Sequence, residues 1–135
     1  MARGRLFVLD TNVLIAAFAT RGLCEDVLRI ILAEHELVAS KFILDELERV
    51  LSDKLKMPSA RVRAVITFIR QTALITEPEN STTWPANDPD DQWIVATAIC
   101  GEAQLLVSGD RDLQNPPGDI PLEILTPREF WERLK

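Results

Sequence analysis

An α/β fold with a central, mainly parallel sheet and helices on both faces is predicted by three features of this 135-residue chain. Short apolar runs alternate with segments of helical period, the pattern of strand–helix–strand crossovers. Two of those runs, "LFVLD" and "LLVSGD", open on unbroken apolar residues and end in a carboxylate, as expected of strands buried on both faces. No repeat, linker or low-complexity tract interrupts the alternation, and the length suits one domain over residues 1–135. Three layers, helix on sheet on helix, follow from these features.

The elements read in order. A strand over 5–10 leads through Thr11-Asn12 into helical segments at 12–19 and 23–34. "HELVAS" (35–40) is a short strand, and helix 41–55 follows, with Ile43, Leu44, Leu47, Val50 and Leu51 on its buried face. Pro58-Ser59 opens a helix over 60–73, with Val62, Val65, Ile66 and Ile69 on one face. "LITEP" is a weak strand and 79–89 a polar loop. Helix 90–103 is apolar nearly all round, as a helix buried between layers would be. Strand 104–110, the turn-rich stretch "RDLQNPPGDIP", strand 122–126 and helix 127–134 complete the chain.

Composition removes several function classes. No apolar run reaches the roughly 18 residues that span a bilayer, and no small-residue cleavage site follows Arg3 and Arg5, so neither a membrane anchor nor a signal peptide is expected. Cys24 and Cys100 lie far apart in apolar helical contexts and read as reduced core residues of a cytoplasmic protein. His35 is the only histidine and there is no CxxC, which leaves no basis for a His/Cys zinc site. The five isolated glycines make neither a P-loop nor a dinucleotide fingerprint. Chemistry must therefore come from carboxylates, hydroxyls, Lys and Arg.

The net charge of −6 argues at first against a nucleic-acid partner, but the charge is unevenly spread. Residues 41–75 carry seven Lys and Arg against four Asp and Glu, whereas residues 76–135 carry four against twelve.

Four acids point to one place. Asp10 and Asp110 each end a strand, and parallel strands deliver such residues to the same sheet edge, where ligand crevices form. Each also suits a plain structural role, Asp10 as a helix cap and Asp110 in a Gly-Asp turn. On helix 41–55, Asp45 falls opposite the apolar face while Glu46 lies at its border, a position that also fits a solvated flank. In helix 90–103, Asp91 is in phase with Val95 and Ala98 and so faces inward. Capping explains acids at 88 and 90 but not the direction of Asp91. Like charges brought this close repel and raise one another's pKa. A hard divalent cation with oxygen ligands, Mg2+ or Mn2+, is the natural counter-charge.

These segments, in this order, resemble the PIN-domain ribonucleases, a family that includes toxin components of prokaryotic toxin–antitoxin pairs. "FVLDTNVLI" is similar to the family's opening motif and "SKFILDELERVL" to its Ser-containing segment leading to a helical Glu. "DPDDQWIVATA" is similar to its Asp-initiated buried helix and "LLVSGDRDL" to its strand ending in Ser/Thr-x-Asp. The resemblance spans nearly the whole chain. It implies a three-layer PIN-like domain with Asp10, Glu46, Asp91 and Asp110 as catalytic metal-site residues. Asn12 and Ser108 fall at positions where the family often places polar support, and Asp88 and Asp112 are extra acids that could join them around the site. It further implies metal-dependent hydrolysis of RNA with Mg2+ or Mn2+, a cognate antitoxin that occludes the acidic site, and homodimerisation as in other members.

Lys41, Arg49, Lys54, Lys56, Arg61 and Arg63 are candidates for phosphate contacts, and equally for an ordinary solvated surface. Trp93 lies about 200° around its helix from Asp91 and is expected to pack in the core. Trp84 in the polar loop is open to base stacking, and Trp131 is expected to pack the last helix on the sheet. Two other classes compete. A PIN-like fold can serve purely as a protein-interaction scaffold without catalysis. Phosphotransfer domains also put acids at strand ends, but Asp10 is followed by Thr-Asn, which supplies neither a receiver's acidic pair nor the second Asp of an aspartyl-phosphate phosphatase.

Overall fold

A computed structural model describes residues 5–80 and 84–134. Residues 81–83 of the expected polar loop, and Arg3 with the rest of 1–4, lie outside it. Among the described residues, five strands form one parallel sheet. They are β1 (Leu6–Leu9), β2 (Glu36–Ser40), β3 (Leu74–Thr76), β4 (Leu105–Val107) and β5 (Glu123–Leu125). The helices between them are α1 (Thr11–Ala19), α2 (Leu23–Glu34), α3 (Lys41–Arg49), α4 (Ser59–Thr72), α5 (Pro89–Cys100), α6 (Arg111–Gln114) and α7 (Pro127–Leu134).

The strand order is β3-β2-β1-β4-β5. The chain builds outward from β1 to β3, crosses back through α5, and builds outward again from β4. β1 and β4 are therefore neighbours at the point where the winding reverses, which is where open parallel sheets form a crevice beyond the carboxyl ends of their strands.

Register assigns the two faces. Val8 lies beside Val38 and Leu106, and Val38 beside Leu74, so these share one face. Helix α5 packs there closely, as Gly101 at its end shows: a Cβ on Gly101 would lie 2.5 Å from Val38 Cγ1. Ser40 and Thr97 bind the same face to α5 through their hydroxyls at 2.8 Å. On the opposite face Phe7 meets Phe130 of α7 edge-on, with ring centroids 5.1 Å apart, and α7 rests on α2. Val8, Leu9, Val38, Leu106 and Val107 are fully buried, each contributing about 1.5–3 kcal/mol by its removal from water. His35 is structural: its ring packs on Phe7 and its Nδ1 accepts the Arg5 N–H at 3.1 Å.

Several expectations need correction. The helix expected over 41–55 is α-helical only to Arg49; Val50–Lys54 forms one π-helical turn. It closes with the Leu55 N–H on Val50 O at 3.0 Å, and Lys56 then turns the chain with φ 53°. The helix at 90–103 ends at Cys100, whose side chain is exposed rather than in the core; Cys24 is half-buried. The strand at 104–110 is paired only over 105–107, and the turn-rich stretch after it contains α6. "LIT" is a paired edge strand.

Candidate metal centre

Asp10 sits where β1 becomes α1. Its N–H continues the ladder to β4 by donating to Val107 O at 3.1 Å. Its Oδ1 caps α1 by accepting the Val13 N–H at 2.9 Å, and its Oδ2 accepts from the Ser108 hydroxyl. The capping role and the inward position thus coexist. Ser108 is fully buried beyond the end of β4, and its Oγ also accepts the Asp110 N–H at 3.0 Å. One hydroxyl therefore fixes the ends of both central strands against each other. Asp110 in turn caps α6, its Oδ1 accepting the Asp112 N–H at 2.8 Å. That turn brings positions 110 and 112 to the same side.

Helix α5 supplies the third wall. Asp88 is its cap, accepting the Asp90 N–H at 2.9 Å, and Pro89 opens the first turn. Asp91 points into the fold and is only 8% exposed. The Gln92 side chain holds the preceding loop by donating to Trp84 O at 3.0 Å. Helix α3 supplies the fourth wall. Ser40 caps it with a long 3.4 Å bond from the Ile43 N–H, and Glu46 follows at half-buried depth.

The resulting pocket brings together Asp10, Thr11, Asn12, Glu46, Asp88, Asp90, Asp91 and Asp110, with Arg49 and Lys54 at its side. Oxygens of Asp91, Asp110 and Asp112 lie within 4.8 Å of one another. Burial and the carboxylates at 110, 88, 112 and 10 push Asp91 up to about 7. Asp10, 4% exposed, is raised mainly by burial, opposed by its bonds from Ser108 and Val13. Glu46 is raised by burial and by Asp90, while the Thr11 hydroxyl and Arg49 hold it down. Thr11 Oγ1 is buried near enough to Glu46 to lower its pKa but, among the described residues, makes no hydrogen bond of ordinary distance and angle.

The donor set fits a hard divalent cation. Three carboxylates offer oxygens at a common point, all-oxygen ligation is what Mg2+ and Mn2+ take, and the mutual repulsion that lifts Asp91 is what such a charge would cancel.

The chain's sequence matches the PIN-domain family profile over residues 6–112. The chain belongs to the PIN-domain family. Among curated proteins no sequence matches it. Solved structures with the same fold include VapBC2 from Rickettsia felis bound to a DNA fragment from its promoter, at TM-score 0.64 and 16% identity, covering 88% of this chain and 96% of that one. VapBC-1 from nontypeable Haemophilus influenzae is similar at TM-score 0.64 and 16% identity, covering 91% and 98%.

In this PIN domain the sequence-predicted residues divide by position. Asp91 and Asp110 converge with Asp112, which the sequence had placed among supporting positions. Asp10 faces the same pocket but has both oxygens engaged by the protein. Glu46 stands on the other side, beside Thr11 and Asp90. Asn12 and Asp88 line the pocket and Ser108 lies behind it. Of the basic candidates, Arg49 and Lys54 reach the pocket, Lys56 and Arg61 line the next groove against α1, Lys41 pairs with Asp45 at 2.7 Å, and Arg63 is exposed on α4.

Sequence reasoning missed the role of the π-turn. Positions five apart on an α-helix differ by roughly 140° in direction, so Arg49 and Lys54 would diverge. A π-turn bonds residues five apart and stacks them, bringing both cations to the pocket's side. Nothing in the composition of "RVLSDK" signals this. Thr11 was also missed, although a β-branched hydroxyl directly after the strand-end acid was a legible signal.

Proposed function

We propose that this PIN domain is a metal-dependent ribonuclease that hydrolyses RNA phosphodiester bonds, and that it is the toxin of a toxin–antitoxin pair. The convergence of Asp91, Asp110 and Asp112 oxygens at the sheet's switch point carries this reading. Asp91, Asp110 and Asp112 would hold Mg2+ or Mn2+, with Asp10 completing the cradle. Bound there, the cation would supply Lewis acidity and counter-charge, lowering the pKa of water and stabilising charge on the phosphoryl and leaving oxygens. Ser108 and the α1 N-terminus orient Asp10 and favour its ionised form against the burial that raises its pKa. Glu46, on the opposite wall, orients the attacking water and takes its proton as the phosphorus–oxygen bond to the leaving ribose breaks. Arg49 and Lys54 neutralise the phosphates that flank the scissile one. This explains how a chain of charge −6 handles a polyanion: the cation inverts the charge of the acidic pocket, and the cations beside it come from the one basic stretch of sequence.

The toxin assignment is supported by the fold's likeness to VapBC structures. An antitoxin that covers the pocket is the corresponding partner. The scaffold reading is disfavoured because the acids converge, at an electrostatic cost that a purely structural domain would have no reason to retain.

Purified protein incubated with labelled structured and single-stranded RNAs tests the reading. Cleavage is expected with Mg2+ or Mn2+, none with EDTA, and none from Asp10→Asn or Asp110→Asn. Cleavage that survives both substitutions would assign the activity elsewhere.

A further inference from the structure

Trp93, expected in the core, is half-buried and lies outside it. Its ring stacks on Phe42 with centroids 5.9 Å apart and planes at 17°. Phe42 is anchored against the hydrophobic core, so the pair is an aromatic platform fixed from below. The groove beside it is closed by Thr76, Glu77 and Pro78 at the end of β3. It lies on the same carboxyl edge of the sheet as the acidic pocket.

The two are connected. A shallow cleft lined by Phe42, Asp45, Glu46, Arg49 and Asp90 shares Phe42 and Asp45 with the aromatic groove and Glu46, Arg49 and Asp90 with the acidic pocket. Phe42, Glu46 and Arg49 are spaced by four and three residues and so form one stripe along α3. From Phe42 to Arg49 the helix rises about 10 Å.

We propose that the Phe42–Trp93 groove is a base-binding subsite for single-stranded RNA leaving the acidic pocket, an assignment that rests on the ribonuclease reading above. Charge selects the occupant. Lys41 is neutralised by Asp45 at 2.7 Å, and Glu77 adds a negative charge to the rim. A phosphate is repelled from this groove, whereas a neutral base stacks on the indole and can donate its amino groups to the rim carboxylates. The backbone stays on the Arg49 side while the base turns inward. Stacking of this kind tolerates every base, because each has a π-face.

The test is equilibrium binding in Mg2+, read by anisotropy before cleavage sets in, of a labelled mixed-sequence 12-nucleotide RNA and of an abasic 12-mer with the same backbone. Trp93→Leu is expected to weaken binding of the RNA by roughly 5- to 100-fold, the contribution of one stacked base. The same substitution should leave the abasic 12-mer unchanged, and Trp93→Phe should retain most of the affinity. Equal binding of the RNA by wild type and Trp93→Leu would overturn the subsite and leave the ribonuclease reading standing. Loss of affinity for both 12-mers alike would also overturn it, since backbone contacts would then be what the substitution damaged. If the wild type binds neither 12-mer, RNA is not the ligand and the subsite falls with the reading beneath it. Unchanged RNA binding with weakened association of a protein partner would reassign the groove to that partner.

Discussion

Asp91→Asn is expected to cut RNA cleavage by more than about 100-fold while making the metal-free protein more stable above pH 7. The activity loss follows from removing one of three converging ligands; even outer partners of metal ligands cost 10–100-fold when mutated. The stability gain follows from linkage. Asp91 binds its proton more tightly folded than unfolded, with a folded value of about 7 against an ordinary 3.8. Its contribution to stability is therefore fully present below about pH 4 and is lost as pH rises through 7. Asparagine keeps the shape and removes the charge. Allowing for screening at the open mouth of the pocket, the gain is about 1–2 kcal/mol, or a Tm rise of roughly 3–10 °C. Thermal melts from pH 4 to 9 check it: without metal the wild-type Tm falls below that of the variant as pH rises through 7, and Mg2+ restores it in the wild type alone. A variant less stable than wild type at pH 8 would mean that the Asp91 charge is already compensated within the protein.

Glu46→Gln is expected to lower kcat by about 100- to 10,000-fold, the usual contribution of a general base, with little change in KM. Glu46 is not among the three converging acids, so metal affinity should persist, which separates this variant from Asp91→Asn. Burial and Asp90 raise its pKa, so wild-type activity should fall on acidification at a pH above the ordinary carboxylate range, and the variant should lose that limb of the profile. Single-turnover rates across pH check both statements. A variant that loses metal binding and activity together would place Glu46 among the ligands instead.

The fold was legible because its signals are periodic. Apolar runs such as "LFVL" and "LLV" read as buried strands, and the order of strands and helices survives intact in the structure. The placements of Asp10 and Asp91 were legible because a strand end and a helical phase fix direction, whereas Asp110 lies three residues beyond the paired part of β4 and is held by its N–H on Ser108 Oγ. What was not legible depends on contacts rather than period. The π-turn at Val50–Lys54 is a change of hydrogen-bond register within an unbroken helical pattern. Trp93 looked buried because α5 is apolar all round, yet Phe42 covers its ring while the groove beside it stays open. Cys100 looked buried for the same reason and lies in the last turn, exposed. The approach of Asp112 to Asp91 and Asp110 was not legible because α6, only four residues long, was hidden in a stretch of turn formers.

The decisive measurement is calorimetric binding of Mn2+ near pH 7 in two buffers of different ionisation enthalpy, which reads both occupancy of the acidic pocket and the protons it releases. Saturable binding accompanied by proton release is expected, since burial and the neighbouring acids push Asp91 up to about 7 and the cation displaces the proton it holds, together with loss of that binding in Asp110→Asn. Absence of binding, or binding undiminished in Asp110→Asn, would contradict it.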